Sequence, residues 1–281
     1  MSATDRILVR VAASDLLRSV YGKARHVPAL GPVLQRVVHQ FLPRGARYWA
    51  QIPAGLGRGL WMHADLRFEL GYVNGDHEPW LQEFLQKNLC AGDCFYDVGA
   101  HTGFFSLIGA RLVGAGGAVV AFEPDPENAA ALRRNAERNG MDQIRVVEAA
   151  VWSATGQVSF ARAGEASNRT QGRVTAAADG GADLLTLPAV TLDEVIFAQN
   201  SPPPALVKMD VEGGEWEALQ GARRMLSDIG PRLLCEIHEP GQMDRFRAFL
   251  EGFGYATEPW APVHSHYADY RQHYLRAESP R

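Results

Sequence analysis

The stretch DVGAHTGFFSL, Asp97–Leu107, carries two glycines four positions apart between two apolar segments. CFYDV, which overlaps its start, predicts a buried strand, and FFSLIGARLV predicts a helix after it. In an open parallel sheet, ligands bind beyond the carboxyl ends of the strands, near the loop after the first strand. Gly99 and Gly103 fall on that loop, where glycine tolerates a positive φ and lets backbone amides approach a ligand. The stretch therefore predicts a ligand-binding loop.

Strand and helix patterns alternate after this loop. AVVAFE predicts a strand, PENAAALRRNAERN a helix closed by Gly140, and IRVVEA a strand. Further on, ALVKMD and RLLCEIH predict strands, each followed by a helix in EWEALQGARRML and MDRFRAFLEGF, and YATEP and HYLRA predict the last two strands. Such alternation favours a doubly wound α/β fold, with a parallel sheet between two layers of helices.

Three more segments complete the prediction of local structure. RYWAQIPAGLGRGLWMHADL predicts a β-hairpin around a glycine-rich turn, and HEPWLQEFLQKNL predicts a helix with Pro79 in its first turn. AVWSATGQVSFA predicts a second hairpin that turns at Thr155 and Gly156, and residues 161–188 are expected to form an irregular excursion.

The ligand of the glycine loop is predicted to be a nucleoside. Glu123 lies twenty positions after Gly103 and ends the second strand, where a carboxylate can accept hydrogen bonds from both hydroxyls of a ribose. The loop lacks the middle glycine of the dinucleotide pattern, so a ligand without a pyrophosphate fits it better. Asp97, two positions before Gly99, suits a ligand that carries an ammonium group and a sulfonium. These features favour S-adenosylmethionine over a dinucleotide.

Candidate catalytic residues follow the two later strands. Asp210 and Glu212 come after ALVKM, and His238 ends RLLCEIH, so all three are expected at the carboxyl edge of the sheet. We expect His238, which is mostly neutral at physiological pH when its pKa is unperturbed, to take a proton from an acceptor with help from Asp210 or Glu212. The alternative is that Asp210, Glu212 and His238 hold a divalent cation. Lys208 is expected to pair with Asp210.

Four motifs together resemble a known family. GDCFYDVGAHTGFFSLIGARLVGAGGAVVAFEPDPEN, VTLDEV, LVKMDVEGGEWEALQGA and LLCEIHEP are similar, in order and spacing, to the signatures of the FkbM-type S-adenosylmethionine-dependent methyltransferases. The resemblance implies a class I methyltransferase (Rossmann-like) fold, with a seven-stranded sheet and a reversed final hairpin. It also implies methylation of a hydroxyl on a sugar, glycolipid or natural-product acceptor. With the loop pattern, it gives the expected cofactor contacts as Asp97, Gly99, Ala100, His101, Gly103, Glu123 and Pro124.

The chain is expected to divide near residue 70. Residues 71–281 correspond to the methyltransferase domain, and residues 1–70 to an extension of helix and hairpin. Residues 1–47 contain eight lysines and arginines against two aspartates, with apolar residues at roughly helical spacing. This amphipathic segment either packs on the domain or makes peripheral contact with a membrane.

Composition bears on the class of partner and on the cellular compartment. A net charge of −4 over 281 residues argues against a nucleic-acid partner. Cys90, Cys94 and Cys235 are expected to be free thiols, the first two buried, and with no secretory signal or membrane-spanning run this predicts a cytoplasmic protein.

A Rossmann-type oxidoreductase or epimerase acting on a sugar is the second candidate function. The incomplete glycine pattern disfavours it, because a dinucleotide needs the middle glycine for its pyrophosphate. The absence of a Tyr-x-x-x-Lys pair also counts against this class of enzyme.

Overall fold

The computed structural model describes residues 47–65, 67–162, 173–174, 183–260 and 273–279. The strands in these ranges are β1 (Arg47–Gln51), β2 (Trp61–Asp65), β3 (Cys94–Val98), β4 (Ala118–Phe122), β5 (Ile144–Val147), β6 (Ala150–Val151), β7 (Gly156–Arg162), β8 (Arg173–Val174), β9 (Asp183–Val190), β10 (Leu206–Met209), β11 (Arg232–Glu236), β12 (Ala256–Trp260) and β13 (Tyr274–Glu278). The α-helices are α1 (Leu70–Asn74), α2 (Pro79–Asn88), α3 (Phe104–Val113), α4 (Pro126–Arg138), α5 (Glu215–Gln220) and α6 (Met243–Glu251). Two π-helical segments, Glu194–Ala198 and Met225–Ile229, precede β10 and β11.

The central sheet has seven strands in the order β12-β13-β11-β10-β3-β4-β5. The strands from β11 to β5 in this order run parallel, and β13 is antiparallel to both of its neighbours. This confirms the predicted seven-stranded doubly wound sheet and its reversed final hairpin. Because the parallel strands share a direction, the segments that follow β3, β4, β10 and β11 meet at one edge of the sheet.

Alternate residues of the central strand β3 enter two different apolar cores. Phe95 packs with the side chains of α2 and α3, whereas Tyr96 and Val98 pack on the other face with residues of α5 and α6. All five residues of β3 are buried, as expected for a strand covered on both faces.

The predicted first hairpin is confirmed, since β1 and β2 pair antiparallel from Arg47 opposite Asp65 to Gln51 opposite Trp61. Its Met62 belongs to the same buried cluster as Phe104 of α3. Asn135 of α4 and Asn139, which directly follows that helix, bind the free edge of β2: His63 N donates to Asn135 Oδ1 at 2.7 Å, and Trp61 N donates to Asn139 Oδ1 at 2.8 Å. The edge strand is thus covered by a helix. The division of the chain at residue 70 stays a prediction.

The predicted second hairpin is wrong. The small sheet has the order β6-β9-β7-β8, so β9 lies between β6 and β7 and pairs with both of them. The residues around Thr155 and Gly156 therefore connect two strands that are not paired with each other. The strand β7 continues to Arg162 and β9 begins at Asp183, so both ends of the expected excursion 161–188 are strand, because the two segments pair with each other along their length.

The cysteines are free, as predicted, but one of the two that were expected to be buried is exposed. All three cysteines are free, with Cys94 and Cys235 buried, but Cys90 is exposed because it lies in the turn before β3, where its N–H donates to Asp93 Oδ2 at 2.7 Å. All of the basic segment 1–47 except Arg47 lies outside the described residues, so its two alternatives, packing on the domain and peripheral contact with a membrane, both stay predictions. Among the described residues, no helix has the length and apolar character needed to cross a membrane.

Candidate active site

A cleft of about 930 Å³, open to solvent, lies at the carboxyl edge of β3, β4 and β10. It contains five expected site residues from the first half of the domain and two from the second half. They are Gly99, Ala100, His101, Glu123 and Pro124, with Asp210 and Glu212. The remaining wall is mostly apolar and aromatic, with Tyr72, His77, Phe104, Phe105, Phe122, Val151, Trp152 and Phe160 among its residues.

Glycine is required at the two positions of the glycine loop for different structural reasons. Gly99 has a φ of 79°, and a Cβ there would lie 1.7 Å from the carbonyl oxygen of Asp210. Gly103 has a φ of 91°, and a Cβ there would lie 2.6 Å from the side chain of Leu132 in α4. The positive φ expected from the sequence is present at both. The close approach, however, is to the chain itself, so Gly99 lets the loop pass the end of β10 and Gly103 lets α3 begin against α4.

Glu123 is held by the loop that it faces. Its Oε2 accepts a hydrogen bond from His101 N at 2.8 Å, and its Oε1 accepts one from Asp125 N at 2.9 Å. Asn128 Nδ2 also donates to Oε1, at a long 3.5 Å, so of the roughly four acceptor positions of a carboxylate one is unused and one is only weakly held. Burial raises the pKa of Glu123 to about 7. The residue therefore has the acceptor capacity that the two hydroxyls of a ribose require.

Asp97 does not line the cleft. Its carboxylate is fully buried, accepts a hydrogen bond from Ser106 Oγ at 2.6 Å, and lies 3.3 Å from Lys208 Nζ. Lys208 lines the cleft, donates to Gly99 O at 3.1 Å, and lies 3.6 Å from Asp210 Oδ2, which confirms the expected pairing with Asp210. Burial opposes the charge of Lys208, but the carboxylates of Asp97 and Asp210 outweigh it and raise its pKa. Asp97 thus acts on the cleft through Lys208.

His101 is tied to the first hairpin by a buried carboxylate. Its Nδ1 lies 3.4 Å from Glu69 Oε1, which also accepts a hydrogen bond from Thr102 Oγ1 at 2.9 Å. Arg47 of β1 pairs with Glu69 at 3.1 Å. Burial, together with the charge of Arg47, lowers the pKa of His101 to about 3, so the ring is neutral at physiological pH. Sequence reasoning missed this network, because no local pattern connects Arg47 and Glu69 to the loop.

The candidate catalytic residues meet at the ends of β10 and β11. His238 Nε2 lies 3.3 Å from Glu212 Oε2 and 3.7 Å from Asp210 Oδ1. The same nitrogen lies 3.9 Å from Glu236 Oε1, and His238 Nδ1 makes a short contact with Glu215 Oε1. The structure therefore brings together the three residues that the sequence suggested and adds two carboxylates. Sequence reasoning did not assign Glu215 to the site, although it ends the motif EGGE that begins at Glu212.

The carboxylates around His238 change its protonation. Burial opposes the charge of the imidazolium, but the hydrogen bond with Glu215 and the nearby charges of Asp210, Glu215 and Glu236 raise the pKa of His238 to about 10. Burial raises the pKa of Glu212 to about 7 and, with the charge of Asp210, that of Glu236 as well. The expectation that His238 is mostly neutral is therefore wrong for this arrangement, in which the cluster retains a proton on the ring.

Aromatic residues that the sequence reasoning missed face the cleft from α1 and α3. The rings of Tyr72 and Phe104 stack with their centroids 5.1 Å apart, and His77 meets Tyr72 edge-on at 4.5 Å. Phe104 and Phe105 directly follow the glycine loop, so the sequence FF after Gly103 was the available signal.

Comparison with solved structures gives class I methyltransferases as similar proteins. The methyltransferase FkbM of Methylobacillus flagellatus matches with a TM-score of 0.47 and 19% identity, over 76% of this chain and 56% of that one. An S-adenosylmethionine-dependent O-methyltransferase of Thermotoga maritima matches with a TM-score of 0.48 and 16% identity, over 88% of this chain and 82% of that one.

Comparison of sequences is more specific. The hexuronic acid methyltransferase AglP of Haloferax volcanii is 29% identical over 179 residues, which are 64% of this chain and 66% of that protein, so the match spans just under two thirds of the relative's length. The family model described as the methyltransferase FkbM domain matches residues 97–257, which is more than half of the chain. The chain therefore belongs to the FkbM family of S-adenosylmethionine-dependent methyltransferases.

Proposed function

We propose that the protein transfers a methyl group from S-adenosylmethionine to a hydroxyl of a small-molecule or glycan acceptor, with sugars as the preferred class. One observation carries the proposal: Asp210 and Glu212 line the same cleft as Gly99 and Glu123. Glu123, which can accept hydrogen bonds from a ribose, therefore lies in the same cleft as two carboxylates that can accept a proton. Membership of a methyltransferase family gives no support to the oxidoreductase or epimerase alternative.

Glu123 is proposed to accept hydrogen bonds from both hydroxyls of the ribose, with Ala100, His101 and Pro124 around it. Asp97 and Gly103 take part indirectly, the first through Lys208 and the second by setting the start of α3. When bound in the cleft, S-adenosylmethionine supplies a methyl carbon that is electrophilic because it is attached to a positively charged sulfur.

The carboxylate of Asp210 or Glu212 is proposed to receive the proton of the acceptor hydroxyl, with the protonated ring of His238 beside them. A neutral alcohol is a poor nucleophile, so the oxygen needs a proton acceptor and alignment with the methyl carbon. The proton passes to the cluster, the oxygen forms the new bond to carbon, and the electrons of the carbon–sulfur bond remain on sulfur. The excess of carboxylates also disfavours an anionic group at the point of transfer, because like charges repel. A hydroxyl is thus preferred to the carboxylate of an acidic sugar.

A sugar acceptor is supported by the relative whose name specifies a hexuronic acid substrate. The aromatic wall made by Tyr72, His77 and Phe104 adds to this, since ligand sites are commonly lined by aromatic side chains with few polar groups.

The test is product analysis with a ¹³C-methyl-labelled cofactor and matched pairs of hexosides and hexuronosides. The expected product on both is a methyl ether, identified by its ¹³C shift and by its survival in mild alkali. A methyl ester that alkali hydrolyses to methanol, formed on the hexuronosides alone, would contradict transfer to a hydroxyl.

A further inference from the structure

Three side chains at the ends of β10 and β11, those of Asp210, Glu236 and His238, each place one possible ligand atom around a common centre, and Glu212 lies beside them. His238 Nε2 lies 3.3 Å from Glu212 Oε2, 3.7 Å from Asp210 Oδ1 and 3.9 Å from Glu236 Oε1. Ligand atoms of Asp210, Glu236 and His238 all lie within 4.8 Å of one another. Around one ion at about 2.1 Å, neighbouring ligands are about 3.0 Å apart and opposite ones about 4.2 Å apart. The three distances from His238 Nε2 fall between these two values.

The outer atoms of the same side chains are held by other residues. Tyr274 OH donates to Glu236 Oε2 at 2.9 Å, and Lys208 Nζ lies 3.6 Å from Asp210 Oδ2. His238 Nδ1 contacts Glu215 Oε1, so the ring presents Nε2 to the centre. A carboxylate behind a histidine is the arrangement that orients this side chain and increases its basicity as a metal ligand.

The carboxylates around the centre outnumber the cations that pair with them. The single ammonium of Lys208 is shared between Asp97 and Asp210. In the part of the chain that the structure describes, no lysine or arginine pairs with Glu212 or Glu236, whose partners there include His238 and Tyr274. The cation that faces Glu212 and Glu236 is the imidazolium of His238, and a divalent ion bound at Nε2 would displace its proton and bring one more positive charge to these carboxylates.

We infer that Asp210, Glu236 and His238, with Glu212 beside them, form a binding site for one divalent cation of the Mn²⁺ type. Three carboxylates suit a hard ion, and one imidazole nitrogen favours Mn²⁺ over Mg²⁺ or Ca²⁺. Asp210 and Glu212 line the cleft, so the open positions of the ion face the space proposed for the acceptor. A hydroxyl bound there loses its proton more readily, and the proton leaves to solvent or to a carboxylate of the cluster. This inference rests on the proposed function only for the role of the ion.

The test measures Mn²⁺ binding to the full chain after dialysis against EDTA, by titration calorimetry and by loss of the free Mn²⁺ signal in electron paramagnetic resonance. We expect one Mn²⁺ per chain. H238Q and D210N should each weaken binding more than about 100-fold, and Y274F, which removes the hydrogen bonds of the Tyr274 hydroxyl to Glu236 and Glu78, about tenfold. The control E239Q changes an exposed carboxylate next to His238 and should leave the affinity unchanged.

Circular dichroism establishes that each variant is folded. Absence of Mn²⁺ binding, or binding that folded H238Q, D210N and Y274F all retain in full, overturns the cation site. Methyl transfer that persists in EDTA without bound Mn²⁺ overturns the role of the ion in the reaction and leaves the proposed function intact. Specific Mn²⁺ binding by a protein that methylates no sugar hydroxyl supports the site and removes the proposed function.

Discussion

Gly99 occupies a point where two chain segments nearly touch. Its missing side chain leaves room for the carbonyl oxygen of Asp210, which a Cβ would approach to 1.7 Å. Gly92 also has a positive φ, 92°, but a Cβ there meets nothing within 4 Å. Gly92→Ala should therefore cost only the strain of the left-handed conformation, about 1–2 kcal/mol of unfolding free energy.

Gly99→Ala should cost clearly more than Gly92→Ala and should also weaken binding of S-adenosylhomocysteine, because the loop or the end of β10 must move. Chemical denaturation gives the unfolding free energies and calorimetry gives the affinities. Equal losses in the two variants would show that the approach to Asp210 has no energetic consequence.

Glu123 is predicted to make cofactor binding depend on pH, with tighter binding at high pH. Burial raises the pKa of this carboxyl to about 7, so the group is largely protonated at pH 6 and ionised at pH 8. The two ribose hydroxyls need an acceptor, which the ionised form supplies better. Affinity for S-adenosylhomocysteine should rise about tenfold from pH 6 to pH 8 and then level off. Glu123→Gln should flatten the profile and Glu137→Gln, an exposed carboxyl on α4, should leave it unchanged; affinity that falls with pH in the wild type would give the opposite sign.

The same carboxyl opposes stability at high pH. Its pKa is higher in the folded than in the unfolded chain, so its contribution is fully present below about pH 4.5 and is lost as the pH rises through about 7. A bound ribose offsets this loss by supplying donors to the ionised group.

His238 is expected to act on the chemical step and not on cofactor binding. It contacts Asp210, Glu212 and Glu215, and it is not among the residues that line the cleft with Glu123. His238→Ala should lower kcat by on the order of 10² to 10⁴ while the affinity for S-adenosylhomocysteine stays within about twofold. Single-turnover kinetics and calorimetry measure the two quantities. An unchanged kcat would remove His238 from the reaction.

At the scale of elements, the first hairpin supports the glycine loop. Arg47 of β1 pairs with Glu69, and Glu69 accepts from Thr102 and contacts His101, both on the loop. Arg47→Ala would leave the Glu69 carboxylate buried without its cation, at a cost on the order of 3 kcal/mol.

Arg47→Ala should therefore lower both the melting temperature and the affinity for S-adenosylhomocysteine. Arg58→Ala is the matched control, since Arg58 lies in the same hairpin with an exposed side chain. Differential scanning calorimetry and titration calorimetry measure the two effects. Lower stability with unchanged affinity would limit the role of the hairpin to the core.

The elements of the main sheet could be predicted because each has its own local pattern. CFYDV, AVVAFE and ALVKMD read as buried strands, and the structure has strands at each of these positions. The partner of β7 could not be predicted, because β9 lies more than twenty residues away and no turn pattern links them. The hairpin predicted at Thr155 and Gly156 failed for this reason: the turn residues were recognised, but the pairing is non-local.

The site, like the fold, has features that could be predicted from the sequence and features that could not. The loop glycines, Glu123, Asp210 and His238 each follow a strand with a clear pattern, so their shared edge could be predicted. The raised pKa of His238 could not, because it depends on Glu215 and Glu236, whose distances to the ring are fixed only in the folded chain.

At the scale of the whole molecule, the parallel sheet gives the two halves of the domain different roles. The segments after β3 and β4 supply the glycine loop and Glu123, and the segments after β10 and β11 supply Asp210, Glu212 and His238. Since β3 and β10 are neighbours, the two groups of residues meet across a single strand pair. Methyl donor and acceptor are thereby expected side by side at the centre of the sheet.

A crystal structure of the protein with S-adenosylhomocysteine tests this arrangement most directly. The account predicts both ribose hydroxyls at hydrogen-bond distance from the carboxylate of Glu123, with the sulfur directed toward Asp210, Glu212 and His238. A ribose bound away from Glu123, or a sulfur directed away from the ends of β10 and β11, would contradict it.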